Sequence, residues 1–138
     1  MTSETIGPVA VGTELPSISF GPVSRTMLAL YAGASGDHNP IHIDIDMARE
    51  AGMPDVFAHG MLSYGVLARV ASNWTGPDRL RSFSAKFVSM TQVHERVTCS
   101  GSVVERFEEN GEARIRIAME ARTDEGRVTL SGEALVAI

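Results

Sequence analysis

The chain is nearly free of cysteine. Cys99 stands alone among 138 residues. No intrachain disulfide can form, so a reducing cytoplasm is the simplest setting. Positive charge is also scarce. Lys and Arg number 12 against 17 Asp and Glu, a formal net charge of -5. That balance argues against nucleic acid as the main partner, because phosphate binding needs a basic face. It still allows a few local arginines to meet a phosphorylated small molecule. No apolar run approaches the roughly 18 residues of a membrane span, so no membrane segment is expected. The stretch MTSETIGPVAVG has no basic residue and no long apolar core, so no secretory leader is expected there. Repeats and low-complexity linkers are missing too.

What remains has the texture of one globular domain over residues 1–138, with 43% hydrophobic residues. A chain this long can bury about 68–70% of its unfolded surface and needs no staple. Residues 12–20, GTELPSISF, suggest a short edge strand. Ser24 is placed to cap a helix that carries Met27, Leu28, Leu30 and Tyr31 and ends near Gly33 to Gly36. A shorter helix is expected from Asp46 to Ala51, stopped by Gly52 and Pro54. In HGMLSYGVLARVASNW, Met61, Leu62, Val66, Leu67 and Val70 recur at helical spacing, and Ser63, Gly65, Ala68 and Ala71 keep the helix slim. This is the candidate buried central helix. Beyond Pro77, four runs alternate apolar and polar residues, with ENG at 109–111 and DEG at 124–126 as hairpin turns. The expected architecture is α+β: an antiparallel meander of four strands, joined by the first strand and covered on one face by the slim helix. Cys99 falls in a strand-like run with no base beside it, which fits a packed thiol rather than a nucleophile.

Residues 34–42, ASGDHNPIH, concentrate the polar chemistry. Three readings fit them. Asp, Asn, Gly and Pro are turn formers, and Asp37 or Asn39 can bond the backbone. His38, His42 and Asp44 have the spacing H-x3-H-x-D, which a metal could use. Pro40 argues against the helix that would align the two histidines. Finally, Asp37 and His42 could form an acid–base pair. Histidine titrates near neutrality, and a carboxylate can orient it and tune it.

The stretch YAGASGDHNPIHIDIDMAREAG, with FAHGML and SGEALV downstream, closely resembles the MaoC-like (R)-specific enoyl-thioester hydratases, also called hydratase 2. The short form also looks like the small subunit of mycobacterial-type 3-hydroxyacyl-carrier-protein dehydratases. The resemblance runs from about residue 11 to the end. It implies a hot-dog fold, an antiparallel sheet curled around one long helix. It implies reversible hydration of trans-2-enoyl thioesters to (R)-3-hydroxyacyl thioesters, without cofactor or metal. Asp37 and His42 would bind the reacting water, and the Gly60 amide would stabilise the thioester oxyanion. Ser35, Gly36, Asn39 and Pro40 would support the loop. Tyr31, Phe57, His59, Met61 and Ser63 would surround the substrate, His59 most simply as a side chain bonded to backbone. The implied partners are acyl-CoA or acyl-carrier-protein thioesters, and a second subunit in a homodimer or a heterodimer. Arg49, Arg79, Arg81 and Lys86 are candidates for the carrier's phosphates. His94 is expected in a turn or at a strand end, and Trp74 in the core or an interface.

Other functions stay open on the same residues. A thioesterase would need a carboxylate on or beside the central helix, and residues 61–74 carry none. A non-catalytic acyl-thioester-binding module has no reason to keep both Asp37 and His42, whereas a partner-dependent subunit of a heterodimeric dehydratase stays open.

Overall fold

The computed structural model describes residues 9–138, so most of MTSETIGPVAVG lies outside the described residues. Helix α1 (Arg25–Ser35) begins where Ser24 Oγ accepts from the Met27 amide at 3.0 Å. It ends at Gly36, whose φ of +78° is a left-handed conformation that suits glycine. Leu28 and Ala32 are its buried residues, while Leu30 is 71% exposed. A turn of 3₁₀ helix (Pro40–His42) leads into helix α2 (Ile45–Glu50), which Asp44 caps through the Asp46 and Met47 amides. Helix α3 (Gly60–Thr75) is the central helix. No helix among the described residues is long and apolar enough to cross a membrane.

The strands are β1 (Ile18–Phe20), β2 (Leu80–Phe87), β3 (Val97–Glu109), β4 (Glu112–Thr123) and β5 (Val128–Ala137). All pair antiparallel in one sheet of order β1-β3-β4-β5-β2. The expected four-strand meander is therefore corrected in one respect. Strands β3, β4 and β5 form the meander, whereas β2 crosses over to the far side of β5. Alternation reveals which face of a strand is buried but not its neighbour, so spacing could not place β2. Both predicted turns are present. Asn110 and Gly111 have φ of +53° and +72°, the backbone of a tight hairpin, and Gly126 has φ of +90°. His94 is in a turn, with φ of +73°.

The sheet curls around α3. Leu67, Val70 and Ala71 of the helix pack onto Val97, Cys99, Val103, Ile115, Ile117, Leu130, Ala134 and Val136. This is the hot-dog fold, and Cys99 is fully buried within it. Burial pushes its thiol up to about 11, so it is neutral and inert at physiological pH. Trp74 packs at the margin of this core. Two residues of α3 depart from the expected pattern. Met61 is 54% exposed, on the wall of a cleft rather than in the core. Gly65 has open space around it and faces outward, so it does not slim a packed face. A second, smaller core joins Val23, Leu28, Ala48, Val56, Ala58 and Val93. It anchors α1, α2 and the segment that enters α3, and the polar nonapeptide is attached to it.

Candidate functional site

The nonapeptide is a ladder of backbone caps. Ser35 Oγ accepts from the Asp37 amide at 3.1 Å, Asp37 Oδ1 from the Asn39 amide at 3.2 Å, and Asn39 Oδ1 from the Ile41 amide at 3.3 Å. Each side chain holds the amide two residues ahead, as Asx and Ser turns do. The turn reading is thus correct, and it coexists with the others. Asn39 holds the Asp37 carboxylate through its own amide and the chain ahead of it through its side chain. Pro40 opens the 3₁₀ turn that brings His42 inward.

His42 is 8% exposed, and its Nδ1 lies 2.7 Å from the Phe57 carbonyl. A carbonyl only accepts, so Nδ1 carries the proton and Nε2 is left with a lone pair. The Phe57 ring stands edge-on to the His42 ring at 4.9 Å. His59 stacks on the other side, centroids 4.1 Å apart and planes at 29°. It is 1% exposed, and Nε2 donates to the Asp37 main-chain carbonyl at 3.1 Å. The sequence expectation of a backbone bond holds, though the partner lies 22 residues upstream rather than in its own helix. Nδ1 of His59 is buried with no partner among the described residues. Leaving a buried polar atom bare costs about 1–3 kcal/mol. Burial is the main reason that the His59 pKa lies below the ordinary histidine value; His42 nearby also lowers it, while Asp37 opposes the shift. Tyr31 meets His59 edge-on at 4.7 Å. Its phenol is pushed up, first by burial and then by the Asp37 charge.

One carboxylate oxygen of Asp37 and one ring nitrogen each of His42 and His59 lie within 4.8 Å of one another. A single water making two hydrogen bonds of about 2.8 Å at its tetrahedral angle bridges groups about 4.6 Å apart. The spacing therefore suits one water held by Asp37 and His42. It suits a metal ion less well. The lone pairs of imidazole nitrogens lie in the ring planes, and two stacked, nearly parallel rings send them side by side. Zinc needs nitrogens that converge on one point at about 2.0–2.1 Å. The other trio, His38, His42 and Asp44, is not assembled: His38 is exposed and Asp44 is occupied in capping α2.

A cleft of about 640 Å³ opens beside this group, its wall including Asp37, His59, Gly60, Ser63, Phe87 and Leu130. His42 sits just behind the wall. Gly60 is the first residue of α3, where amides lack acceptors within the helix and the helix dipole is positive. A Cβ on Gly60 would come within 2.7 Å of the Phe87 ring, so glycine is what lets the two approach. Met61 and Ser63 line the cleft with Phe57, whereas Tyr31 packs on His59 and is not among the lining residues; Ser63 is 3% exposed. Gly36 shapes the turn at the end of α1 without entering the cleft.

Sequence reasoning missed the opposite wall, Val88 to Thr91 with Thr129 and Leu130. Its placement depends on the β2 crossover, which leaves no local trace. The loop after β2 is fastened in two ways. The Ala58 amide donates to the Thr91 carbonyl at 2.9 Å, and Arg127 donates to the Met90 carbonyl at 2.8 Å and the Glu95 carboxylate at 2.6 Å. Among the phosphate candidates, Arg81 is engaged with Glu112 and the Asp78 carbonyl, and Arg49 with the Pro54 carbonyl.

The chain is similar to known proteins in sequence and in fold. Fatty acid synthase subunit beta of Saccharomyces cerevisiae is 34% identical over 107 residues, covering 75% of this chain but 5% of that protein. The chain thus spans a small fraction of that relative's length. An (R)-specific enoyl-CoA hydratase of Rhodospirillum rubrum is 30% identical over 118 residues, covering 84% of this chain and 80% of the relative. Among solved structures, the unliganded R-hydratase PhaJ1 of Pseudomonas aeruginosa aligns with a TM-score of 0.78 at 26% identity, over 94% of this chain and 82% of that one. The family model described as MaoC like domain matches residues 8–126. From its Asp-x-Asn-Pro turn to its helix-wrapping sheet, this chain belongs to the MaoC-like family.

Proposed function

We propose that this protein catalyses reversible hydration of trans-2-enoyl thioesters, giving (R)-3-hydroxyacyl thioesters. The observation that carries the reading is the juxtaposition of the Asp37 carboxylate, the His42 ring and the start of α3 at one end of a largely apolar cleft. The enoyl chain lies along the apolar wall, and its thioester carbonyl accepts from the Gly60 amide. Attack of water at the β carbon builds charge on that oxygen, where a fixed donor at a helix start is most useful. Asp37 and His42 hold the water between them. One takes its proton as the C–O bond forms, and the other returns a proton to the α carbon. The reverse sequence expels water. The (R) outcome is carried over from the hydratase relatives by likeness.

Around the cleft mouth, Phe87, Val88 and Met61 are each more than half exposed. Such an apolar rim favours a covering subunit. A homodimer is the first reading and a heterodimer the alternative; light scattering on the purified chain decides between self-association and a missing partner.

The test is hydration of crotonyl-CoA, followed at the enoyl-thioester absorbance band. Wild type should consume the band and form 3-hydroxybutyryl-CoA without free thiol. Asp37→Asn and His42→Ala should each lower the rate by about 10²–10⁴-fold with the fold intact. Release of free thiol would establish a thioesterase instead, for which Asp37, beside the start of α3, is the available carboxylate.

A further inference from the structure

The proposed chemistry leaves unused the most deeply buried polar group at the site. His59 is 1% exposed, against 8% for His42, and Asp37 is exposed. One imidazole touches every other component. Its Nε2 bonds the main chain of Asp37, its face lies on the His42 ring, its edge meets Tyr31, and its backbone continues into Gly60. Both ends of the ring are accounted for. Nε2–H is committed to a carbonyl, and Nδ1 is sealed from solvent and from other polar groups. A ring so enclosed has no proton to exchange with a substrate, but it is well placed to fix its neighbours.

We propose that His59 is the positioning residue of the water-binding pair: it ties the Asp37 turn to the start of α3 and props the His42 ring at the distance a single water requires. This inference rests on the hydratase reading for its kinetic consequence and on geometry alone for its structural one. Over residues 35–41 the side-chain bonds that hold the ladder are exposed caps, at Ser35, Asp37 and Asn39, while His42 at its end bonds the Phe57 carbonyl. The His59 bond is the buried tether that sets where this ladder stands relative to His42. Asp37, His42 and Tyr31 are the titratable groups that face the ring, from the turn after α1, the 3₁₀ turn and α1 itself. A charged His59 would sit against His42 with its second N–H unsatisfied, so the neutral form is the one the site accommodates.

Two variants separate the possibilities. His59→Phe keeps a flat ring and removes the donor; His59→Gln places an amide N–H near the position of Nε2. On crotonyl-CoA, His59→Phe should lower kcat about 10²-fold, as expected for a displaced catalytic group, while leaving KM nearly unchanged. His59→Gln should recover much of that loss. Equal inactivity of the two folded variants, with loss of a limb of the pH–rate profile, would make His59 a proton carrier and overturn the proposal. A change in KM with kcat preserved would make it only part of the cleft wall, and would overturn it too. Two readouts need no activity. Nitrogen-15 histidine spectra of the wild type should show His59 neutral and protonated at Nε2; protonation at Nδ1 instead overturns the geometry. Amide exchange at Asn39 and Ile41 should quicken in His59→Phe but not in His59→Gln, and equal exchange in both would sink the tether. If wild type hydrates no enoyl thioester, the functional reading fails, and the spectra and exchange still decide the role of His59.

Discussion

The two cores of this molecule are built on different terms. The larger one joins α3 to the sheet with Leu, Ile and Val on regular elements, in register over long paired strands. The smaller one collects Val23, Leu28, Ala48, Val56, Ala58 and Val93 from helix flanks and loops. Ladder hydrogen bonds reinforce the first. The second is completed by single contacts, such as the Ala58 amide on the Thr91 carbonyl and the Val23 amide on the Glu95 carbonyl. The contacts that hold the Asp37 turn belong to the second, while Leu130 of the first lines the opposite wall of the cleft. The acid–base groups are thus carried on the less redundant part of the fold, where a small displacement is cheap, while the robust part supplies the platform and one wall.

Truncation tests this division most strongly. Leu67→Ala, in the centre of α3, should cost about 2–5 kcal/mol of unfolding free energy while leaving kcat of the folded fraction nearly intact. Leu28→Ala, in the small core, should cost about 2–3 kcal/mol because loops can settle into the space. It should also lower kcat, since α1 carries the Asp37 turn. Equal kinetic effects from the two truncations would erase the distinction.

Acid is a finer probe. Arg81 and Arg114 hold the Glu112 carboxyl down at about 2, on the outer face of the sheet. Glu95, which secures the cleft loop, is pulled up by burial but more strongly lowered by hydrogen bonds from Arg127 and the Gln92 amide. Both lie below the unfolded carboxylate value. Their stabilisation is present above that value and is lost as pH falls through the folded one. The urea midpoint should therefore decline as pH is lowered from about 5 to about 3. Glu95→Gln should flatten part of that decline and, unlike Glu112→Gln, should alter crotonyl-CoA kinetics through the loop. The smallest effect concerns Cys99. Iodoacetamide should leave it unmodified in the native protein and label it on unfolding, as mass spectrometry would show.

Much of this was legible beforehand. Ser24, Gly36 and the apolar spacing of residues 61–70 mark α1 and α3, and Asn110-Gly111 marks the β3–β4 hairpin, because these signals act within a few residues. The Asp37 turn was legible for the same reason. Three features were not. The position of β2 depends on pairing with β5, some fifty residues on. The burden on His59 depends on a carbonyl in another segment, so its sequence neighbours point only to a helix start. Met61 has the spacing of a core residue, yet it lies on the cleft wall and is more than half exposed. Local chemistry is readable; the meeting of distant segments is not.

The placement of β2 beside β5 has a consequence for biosynthesis. Asp37, His42, His59 and Gly60 leave the ribosome early, but Thr129 and Leu130 of the opposite cleft wall follow only with β5. Strand β2 must wait for the same residues before it finds a neighbour. Until then the nascent chain displays Phe83 and Ala85 of β2 and the inner face of α3 to the cell, and a chaperone that binds apolar segments has its longest opportunity there.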